Sequence, residues 1–305
     1  MNSRTLRACA VVLLAITTSL PAAAGPLRER LAQRREAARH ADAEGIALPT
    51  GVTLHRDLSY GPDKAQRIDA YVPAGVQGAP VLFLVHGGGW RHGDKAHAAV
   101  VQHKVEHWTA RGHVVVSTNY RMLPEADPLQ QARDVARALA FAQRQAASWG
   151  GDAGRFVVMG HSAGAHLVAL LASDPALPRG EGAQEWLGTV SLDSAALDVV
   201  ATMEGRHPKL YDEAFGTDRD FWIATSPAHR LPASKATPRP MLLVCSSRRE
   251  QVCPQARDHA GKLRAQGGVA VVLEQPLTHR EINQQLGLPG RYTEQVDRFI
   301  DGLLR

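Results

Sequence analysis

The pentapeptide GHSAG, residues 160–164, has the residue types needed to expose a serine for nucleophilic attack. It follows an apolar stretch, 156–159, and precedes an apolar helical stretch, 163–172. A sharp turn from strand to helix strains the backbone of its central residue, so the neighbouring side chains must be small. Glycine and alanine meet that requirement. The pattern predicts that Ser162 projects above the strand end, where the first amides of the helix can stabilise a negative charge.

A glycine run, HGGGW at 86–90, directly follows the apolar stretch 81–85. Three successive glycines leave backbone amides uncovered, so two N–H groups can point at one substrate oxygen. Such a preorganised donor to an oxyanion contributes about 2.7–4 kcal/mol to transition-state stabilisation. The alternatives are a flexible surface loop or a phosphate-binding loop. The spacing G-x-G-x-x-G of a dinucleotide site is absent, because Trp90 and Arg91 follow the glycines.

These two loops need a scaffold, and strand-like and helix-like stretches alternate along residues 51–305, the predicted main domain. Short apolar strands that alternate with helices are typical of a parallel sheet covered on both faces. The predicted class is therefore α/β, a mostly parallel sheet flanked by helices. Residues 198–238 interrupt the alternation and are predicted to form a small cap insertion. Strands are predicted at 52–54, 68–72, 81–85, 114–117, 156–159, 189–192, 241–244 and 269–273, and helices at 95–110, 127–148, 163–172, 254–266 and 292–304.

Three motifs together resemble a known family. HGGGW, then NYRMLPE at 119–125, then GHSAG are similar to motifs of the α/β-hydrolase fold. Within that fold the sequence resembles carboxylesterases of the hormone-sensitive-lipase type and feruloyl-esterase-like and formamidase-like bacterial hydrolases. The resemblance extends from about residue 52 to the C-terminus. It implies an oxyanion hole formed by the amides of Gly87, Gly88 and Ala163, with His86 and Trp90 as supporting residues.

His279 is the predicted general base. In this fold the chain order is nucleophile, acid, histidine. His279 follows the last predicted strand after a short loop, and of the 14 histidines it alone occupies that position. There its imidazole can take the proton of Ser162 and return it to the leaving group. The alternative is a solvent-exposed loop histidine.

The acid that orients the imidazole has two main candidates. The family pattern usually places it in the loop after the strand that is here 241–244, often as Asp four residues before a proline. Glu250, four residues before Pro254, occupies that position, and glutamate can fix the imidazole tautomer as aspartate does. Glu250 is therefore preferred over Asp193, which ends the preceding strand. Asp258 ranks third, because it is predicted to lie on a helix face.

The first 24 residues have the layout of a secretory signal peptide. Arg4 and Arg7 precede an apolar run, 8–20, and Pro21-Ala22-Ala23-Ala24 offers a cleavage site. The run is too short to cross a bilayer comfortably, although a membrane anchor is the alternative. The mature protein is expected to start near Gly25 with a tether or exposed helix over 25–50, and to be periplasmic or secreted.

Two cysteines, Cys245 and Cys253, follow the predicted cleavage site. An oxidising compartment permits a disulfide between them across a short loop. Two free buried thiols are the alternative, since the sequence does not give the separation of their Cα atoms.

The composition excludes several classes of protein. Of 305 residues, 44% are hydrophobic and 21% charged, which excludes collagen-like, disordered and coiled-coil chains. The formal charge is +5 from 35 basic and 30 acidic residues, and Arg4 and Arg7 lie in the predicted signal. So small and dispersed an excess disfavours nucleic acid as a partner.

Two other functions have some support in the sequence. His103, Glu106 and His107 match the zinc-peptidase motif H-x-x-E-H, but no third ligand is evident. A non-catalytic binding protein on the same fold would leave Ser162, His279 and the glycine run unexplained.

The sequence therefore predicts an exported serine carboxylesterase that needs no cofactor or metal and acts on a small-molecule ester. It does not separate esters from small amides, the formamidase-like alternative. Stable membrane insertion after signal cleavage is not expected. In the cap insertion, Phe215, Phe221 and Trp222 form either apolar walls of the pocket or ordinary cap core.

Overall fold

A computed structural model describes residues 46–231 and 237–305, all within one compact unit, Asp42–Arg305. Its centre is an eight-stranded sheet of order β1-β2-β4-β3-β5-β6-β7-β8. β2 is antiparallel to β1 and β4, and the other neighbours are parallel. The predicted fold class is confirmed. The strands are β1 Val52–Ser59, β2 Arg67–Pro73, β3 Ala79–Val85, β4 Val114–Thr118, β5 Gly151–His161, β6 Gly188–Leu192, β7 Met241–Ser246 and β8 Ala270–Gln275.

Helices cover both faces of the sheet. In chain order they are α1 Ala98–Ala110, α2 Pro128–Gln145, α3 Ala163–Ser173, α4 Ala176–Gly180, α5 Val199–Glu204, α6 Lys209–Phe215, α7 Arg219–Thr225, α8 Pro227–Arg230, α9 Val252–Ala265, α10 His279–Gln284 and α11 Arg291–Leu304. α2, α3 and α9 share one apolar core, and α1 and α11 share the other. Across 46–231 and 237–305, none of these helices has both the length and the apolarity needed to cross a membrane.

The parallel register brings four chain reversals to one edge of the sheet. Val85 of β3 pairs with Gly160 of β5, and His161 of β5 pairs with Leu192 of β6. Leu192 in turn pairs with Val244 of β7. The residues that follow these strand ends must therefore meet above the carboxyl edge, where ligands bind in open α/β sheets.

The structure contains helices that the sequence did not predict. The cap segment (residues 198–238) contains α5 to α8, each of four to seven residues, and helices that short carry no readable periodicity. Helix α10 was not predicted. Residues 1–24 and 25–45, which hold the predicted signal peptide and most of the tether, lie outside the described residues, as do 232–236.

Candidate active site

Ser162 occupies a strained turn between β5 and α3. Its backbone has φ 57° and ψ −117°, in a region that L-residues rarely adopt. Two hydrogen bonds hold it there: the Ser162 amide donates to Leu192 O at 2.9 Å, and the His166 amide donates to Ser162 O at 3.1 Å. The first extends the β5–β6 ladder by one residue, so the sheet itself fixes the turn.

Close backbone packing around this turn requires glycine at two positions. A Cβ on Gly160 would clash with the carbonyl of Gly164, and one on Gly164 would clash with the carbonyls of Val85 and His86. These are backbone atoms of α3, of the end of β3 and of the residue after it, and they cannot swing aside. The two glycines of the GHSAG motif therefore let the start of α3 approach the end of β3.

We expect Gly164→Ala to lower the free energy of unfolding by about 1–3 kcal/mol, because the added methyl overpacks rigid backbone. Urea unfolding of the purified chain measures this. Gly261→Ala is the matched control: a Cβ there meets nothing within 4 Å, and alanine stabilises an exposed helix by roughly 0.5–1 kcal/mol over glycine. Equal stabilities for the two variants would contradict the expected clash.

Three side chains form one hydrogen-bonded chain above the sheet. Ser162 Oγ lies 2.9 Å from His279 Nε2, and His279 Nδ1 lies 2.6 Å from Asp193 Oδ2. With Nδ1–H donating to the carboxylate, Nε2 is left as the acceptor of the serine proton. The structure thus brings Ser162 and His279 into contact, and the third side chain of the series is Asp193.

The preference for Glu250 over Asp193 is corrected by this geometry. Leu192 ends β6 beside His161, so Asp193 emerges next to Ser162. Glu250 lies four residues beyond the end of β7, exposed on the cavity rim, and no hydrogen bond of the described residues joins it to His279. Asp258 pairs with Lys262 at 3.0 Å on the surface of α9. Register between neighbouring strands, which the sequence does not display, decides the matter.

His279 is positioned by the first turn of α10. Thr278 and Glu281 form a capping box, with Thr278 N donating to Glu281 Oε2 at 2.7 Å and Glu281 N donating to Thr278 Oγ1 at 3.3 Å. His161 Nε2–H donates to the His279 carbonyl at 2.9 Å. The T-x-x-E spacing of residues 278–281 is a known helix-start signature, so this helix was readable from the sequence.

Asp193 is fully buried, and hydrogen bonds and a nearby positive charge compensate the burial of its carboxylate. Its backbone φ is 59°, and Ser246 N donates to Oδ1 at 2.7 Å. Burial by itself raises the pKa of Asp193, but the hydrogen bond from His279, the charge of Arg249 and the Ser246 amide outweigh it, so the pKa is lowered. The carboxylate therefore stays ionised at neutral pH.

Arg249 is a site residue that the sequence argument missed. Its Nη1 lies 2.7 Å from Asp193 Oδ2, 3.2 Å from Asp193 O and 3.0 Å from His279 Nδ1. Because His279 Nδ1 already donates its proton to Asp193, the two nitrogens share the carboxylate oxygen rather than bond each other. No motif marks such a residue, since it belongs to a surface-like Arg248-Arg249 pair in the chain.

The glycine loop is oriented by its carbonyl groups. Tyr120 Oη donates to His86 O at 2.8 Å, and His86 Nδ1 donates to Gly87 O at 2.8 Å. In a planar trans peptide the next N–H points the opposite way, so the amides of Gly87 and Gly88 face away from these bonds. Both glycines and Ala163 line the same cavity as Ser162. A Cβ on Gly88, whose φ is 124°, would clash with His92 O.

A buried histidine joins the glycine loop to the cap segment. Trp90 Nε1 donates to His166 Nδ1 at 3.2 Å, and His166 Nε2–H donates to Thr225 O at 2.7 Å. Burial lowers the pKa of His166 to about 4. The ring is therefore neutral at pH 7 and holds one tautomer, which fits both partners.

We expect the free energy of unfolding to fall on acidification because His166 is buried in its neutral form. Its unfolded pKa is about 6.5, and the folded pKa is lower, so stability is present above pH 6.5 and is lost as the pH falls toward 4. One such group contributes about 1.4 kcal/mol per pH unit over that window. We expect His166→Gln to unfold with a shallower pH dependence between pH 7 and 4.5 in urea titrations. His55→Gln, on exposed β1, is the control, and an unchanged slope in His166→Gln would refute the assignment.

Cys245 and Cys253 form a disulfide, with Cα atoms 5.2 Å apart. The bridge closes the loop that contains Ser246 and Arg249, the two partners of Asp193 from β7 and beyond. Of the alternatives that the sequence left open, the structure has the bonded form. Both residues are buried.

We expect the double variant Cys245→Ala/Cys253→Ala to lower the free energy of unfolding by about 2–3 kcal/mol, the entropy of closing a loop of this length. Urea unfolding with and without dithiothreitol measures it. The wild type should lose stability in the reductant, while the double variant should not respond. A wild type that is equally stable under both conditions, with its thiols shown to be reduced, would contradict the prediction.

An open cavity of about 1120 Å³ surrounds the serine. The cap segment contributes residues of α5, α6 and their connecting loop, including Thr202, Leu210 and Tyr211. Among the cavity residues that the structure describes, Phe215, Phe221 and Trp222 do not occur. Phe215 packs edge-on against Trp90, with ring centroids 4.9 Å apart, and Trp222 Nε1 donates to its carbonyl. Phe221 and Trp222 are half-buried against the same apolar core as Phe215. The three aromatic residues therefore pack as core and are not walls of the cavity.

The H-x-x-E-H residues serve a helix contact. His103 Nδ1–H donates to Gln284 O at 2.6 Å, and His107 Nε2 lies 2.8 Å from Asp297 Oδ2. Both contacts tie α1 to the C-terminal helices. In the part of the chain that the structure describes, no three His, Cys, Asp or Glu side chains are grouped to hold a metal ion.

Comparison with known proteins agrees with this architecture. Residues 68–200 match the BD-FAE family model. The chain is 34% identical over 134 residues to "Probable isoprenylcysteine alpha-carbonyl methylesterase ICMEL1" of Oryza sativa subsp. japonica, covering 43% of this chain and 31% of that protein. It is 30% identical over 238 residues to "Esterase LipC" of Mycobacterium tuberculosis, covering 69% of this chain and 55% of LipC. The chain thus spans about a third to about half of the length of these relatives.

A solved structure shows the same fold over nearly the whole chain. Esterase B from Lactobacillus rhamnosis superposes with a TM-score of 0.70 at 18% identity, covering 91% of this chain and 93% of that chain. Identity this low establishes the fold alone. The protein is an α/β-hydrolase-fold chain, and its similarity to esterases of that fold confirms the resemblance seen in the motifs.

Proposed function

We propose that the protein is a serine carboxylesterase that works through an acyl-enzyme. In this mechanism Ser162 Oγ attacks the ester carbonyl while His279 Nε2 removes its proton. Asp193 holds the imidazole tautomer and stabilises the imidazolium that forms. His279 then gives the proton to the leaving alkoxide. Water activated by the same imidazole attacks the acyl-enzyme, and the acid product leaves with Ser162 restored.

The charge that develops on the carbonyl oxygen is assigned to backbone donors. The amides of Gly87, Gly88 and Ala163 are the proposed oxyanion hole, and the Ala163 amide also lies at the positive N-terminus of α3. The peptide orientations of the glycine loop set the amides of Gly87 and Gly88 before reaction, and the turn at Ser162 sets the amide of Ala163. Little reorganisation is therefore needed when the charge appears.

The observation that carries the proposal is the continuous chain Ser162 Oγ, His279 and Asp193, with contacts of 2.9 and 2.6 Å, in an open cavity. Turnover of p-nitrophenyl acetate, butyrate and octanoate by the purified chain tests it. Rates are compared with those on acetamide and formamide, which represent the amide alternative. Hydrolysis of at least one ester faster than the amides is expected, and no turnover of any ester would refute the proposal.

We further propose that the chain is exported and processed. The support is the charged-then-apolar segment ending at Ala24 together with a disulfide, a bond typical of oxidising compartments. Fractionation of cells that express the chain with a C-terminal tag, followed by the intact mass, tests this. A periplasmic or secreted product beginning near Gly25 is expected, and a full-length cytosolic product would refute it.

A further inference from the structure

Arg249 presents a cation to the proposed substrate cavity beside the reacting groups. It contacts His279 on the Nδ1 side, while Ser162 contacts the same ring at Nε2. One imidazole ring therefore separates the guanidinium from the nucleophile. The Arg249 side chain is 32% exposed and lines the cavity. A charge placed this near a reacting centre, and still open to solvent, can touch a substrate.

The guanidinium has donors to spare. Its contacts with Asp193 and His279 all run through Nη1, and it also interacts with the Tyr211 hydroxyl. A guanidinium carries five N–H donors in a fixed planar fork, which suits a carboxylate. Donors thus remain beyond those that Asp193 and Tyr211 engage, on a residue that faces the cavity.

The other charges of the cavity support an anion near Arg249. Arg206 and Arg280 line it and are exposed; within 46–231 and 237–305 neither forms an ion pair. Three carboxylates also line it. Asp193 is buried and already bonded to His279, Arg249 and Ser246, and Asp94 accepts from Asn119 and Ala96. Glu250 remains as the acidic residue that opposes an anion.

We infer that Arg249 binds a carboxylate of the substrate, so that the proposed esterase prefers esters carrying a carboxylate a few bonds from the scissile carbonyl. This inference rests on the proposed function. Half-esters of short dicarboxylic acids have that geometry, because one imidazole ring separates the cation from the serine. A long neutral acyl chain would place no partner against the guanidinium.

Two ethyl esters of equal size test the preference. Monoethyl succinate carries a carboxylate where ethyl 4-oxopentanoate carries a neutral acetyl group, and ethanol release reports both. We expect kcat/KM to be at least about tenfold higher for the anionic ester, as a charge-assisted hydrogen bond supplies that much. The ratio should fall as NaCl rises from 0.05 to 0.5 M, because salt screens the attraction. If the two ethyl esters are hydrolysed too slowly to measure, the same preference is measured as their inhibition of p-nitrophenyl butyrate hydrolysis.

Variants separate recognition from positioning. Arg249→Gln should bring the ratio of the two esters close to one, and Arg249→Lys should leave an intermediate ratio. A purely positioning role would lower both rates and keep the ratio. Glu250→Gln should raise the ratio, since it removes the opposing charge. Arg248→Gln is the matched control: its side chain lies 3.8 Å from Glu281, outside the cavity lining, and its ratio should equal that of the wild type.

The outcomes distinguish the inference from the function beneath it. One outcome is that p-nitrophenyl butyrate is hydrolysed and that the neutral and anionic ethyl esters are hydrolysed, or inhibit, equally well. That outcome overturns the carboxylate preference and leaves the proposed esterase activity in place. If no ester is hydrolysed at all, the proposed function fails first. If Arg249→Gln loses all activity, the carboxylate preference is tested by three other measurements: the wild-type ratio of the two esters, the salt dependence of that ratio, and the ratio in Glu250→Gln.

Discussion

Replacing Ser162 with alanine should reduce kcat for ester hydrolysis by about 10³- to 10⁶-fold, the range expected when the nucleophile of a cooperating triad is removed. The hydroxyl is the group that would form the acyl-enzyme, and it lies 2.9 Å from His279 Nε2. Steady-state hydrolysis of p-nitrophenyl butyrate measures the loss. Thermal unfolding shows that the variant is folded.

A serine-directed fluorophosphonate provides an independent readout. The wild type should gain one adduct, located on Ser162 by peptide mass, and Ser162→Ala should gain none. Ser194 is the matched control, because it lines the same cavity and its Oγ accepts from Ala196 N. Ser194→Ala should still be labelled. Full activity in Ser162→Ala, or an adduct on another serine, would rule out the proposed mechanism.

Asp193→Asn should cost about 10³- to 10⁴-fold in kcat with little change in KM. An amide in place of the carboxylate favours the wrong imidazole tautomer and does not stabilise the imidazolium. Asp193 is also the acceptor for Ser246 N at 2.7 Å and Arg249 at 2.7 Å, so asparagine leaves part of this network intact. Hydrolysis of a neutral p-nitrophenyl ester measures the effect.

Glu250→Gln is the comparison that settles which residue serves as the acid. It changes the same functional group, but at an exposed position of the cavity rim, and should cost less than about tenfold on a neutral ester. The two variants therefore differ by two or more orders of magnitude. A larger loss in Glu250→Gln than in Asp193→Asn would show that the acid is Glu250 and that the contact between Asp193 and His279 is not the one used in catalysis.

Local patterns predicted the serine turn and the glycine run. Each is marked by residues that suit a special backbone: small neighbours around Ser162 and three glycines after β3. These requirements act within a few residues of chain, so a linear reading can detect them. The same holds for the central strands β3, β4, β6 and β7, whose apolar runs reflect burial on both faces. His279 was predicted instead from its place in the chain order, after the last strand.

Contacts between distant segments of the chain could not be predicted from local sequence patterns. Arg249 looks like one of two surface arginines, and its contact with Asp193 joins residues 56 apart in the chain. The cap aromatics look equally suited to lining a pocket or filling a core. For Phe215, the packing of its ring against Trp90 and His166 shows that it lies in the core.

The sequence by itself predicted the α/β class and the strained serine turn, because periodicity and the need for small residues act among neighbouring residues. It predicted His279 from the order of nucleophile, acid and histidine along the chain. What the tertiary structure alone decided is the partner of that histidine. Asp193 and Glu250 are equally able carboxylates, and the choice between them depends on β6 lying directly beside β5. Strand order and register are properties of the whole sheet, set by packing across more than a hundred residues, and no local pattern carries them.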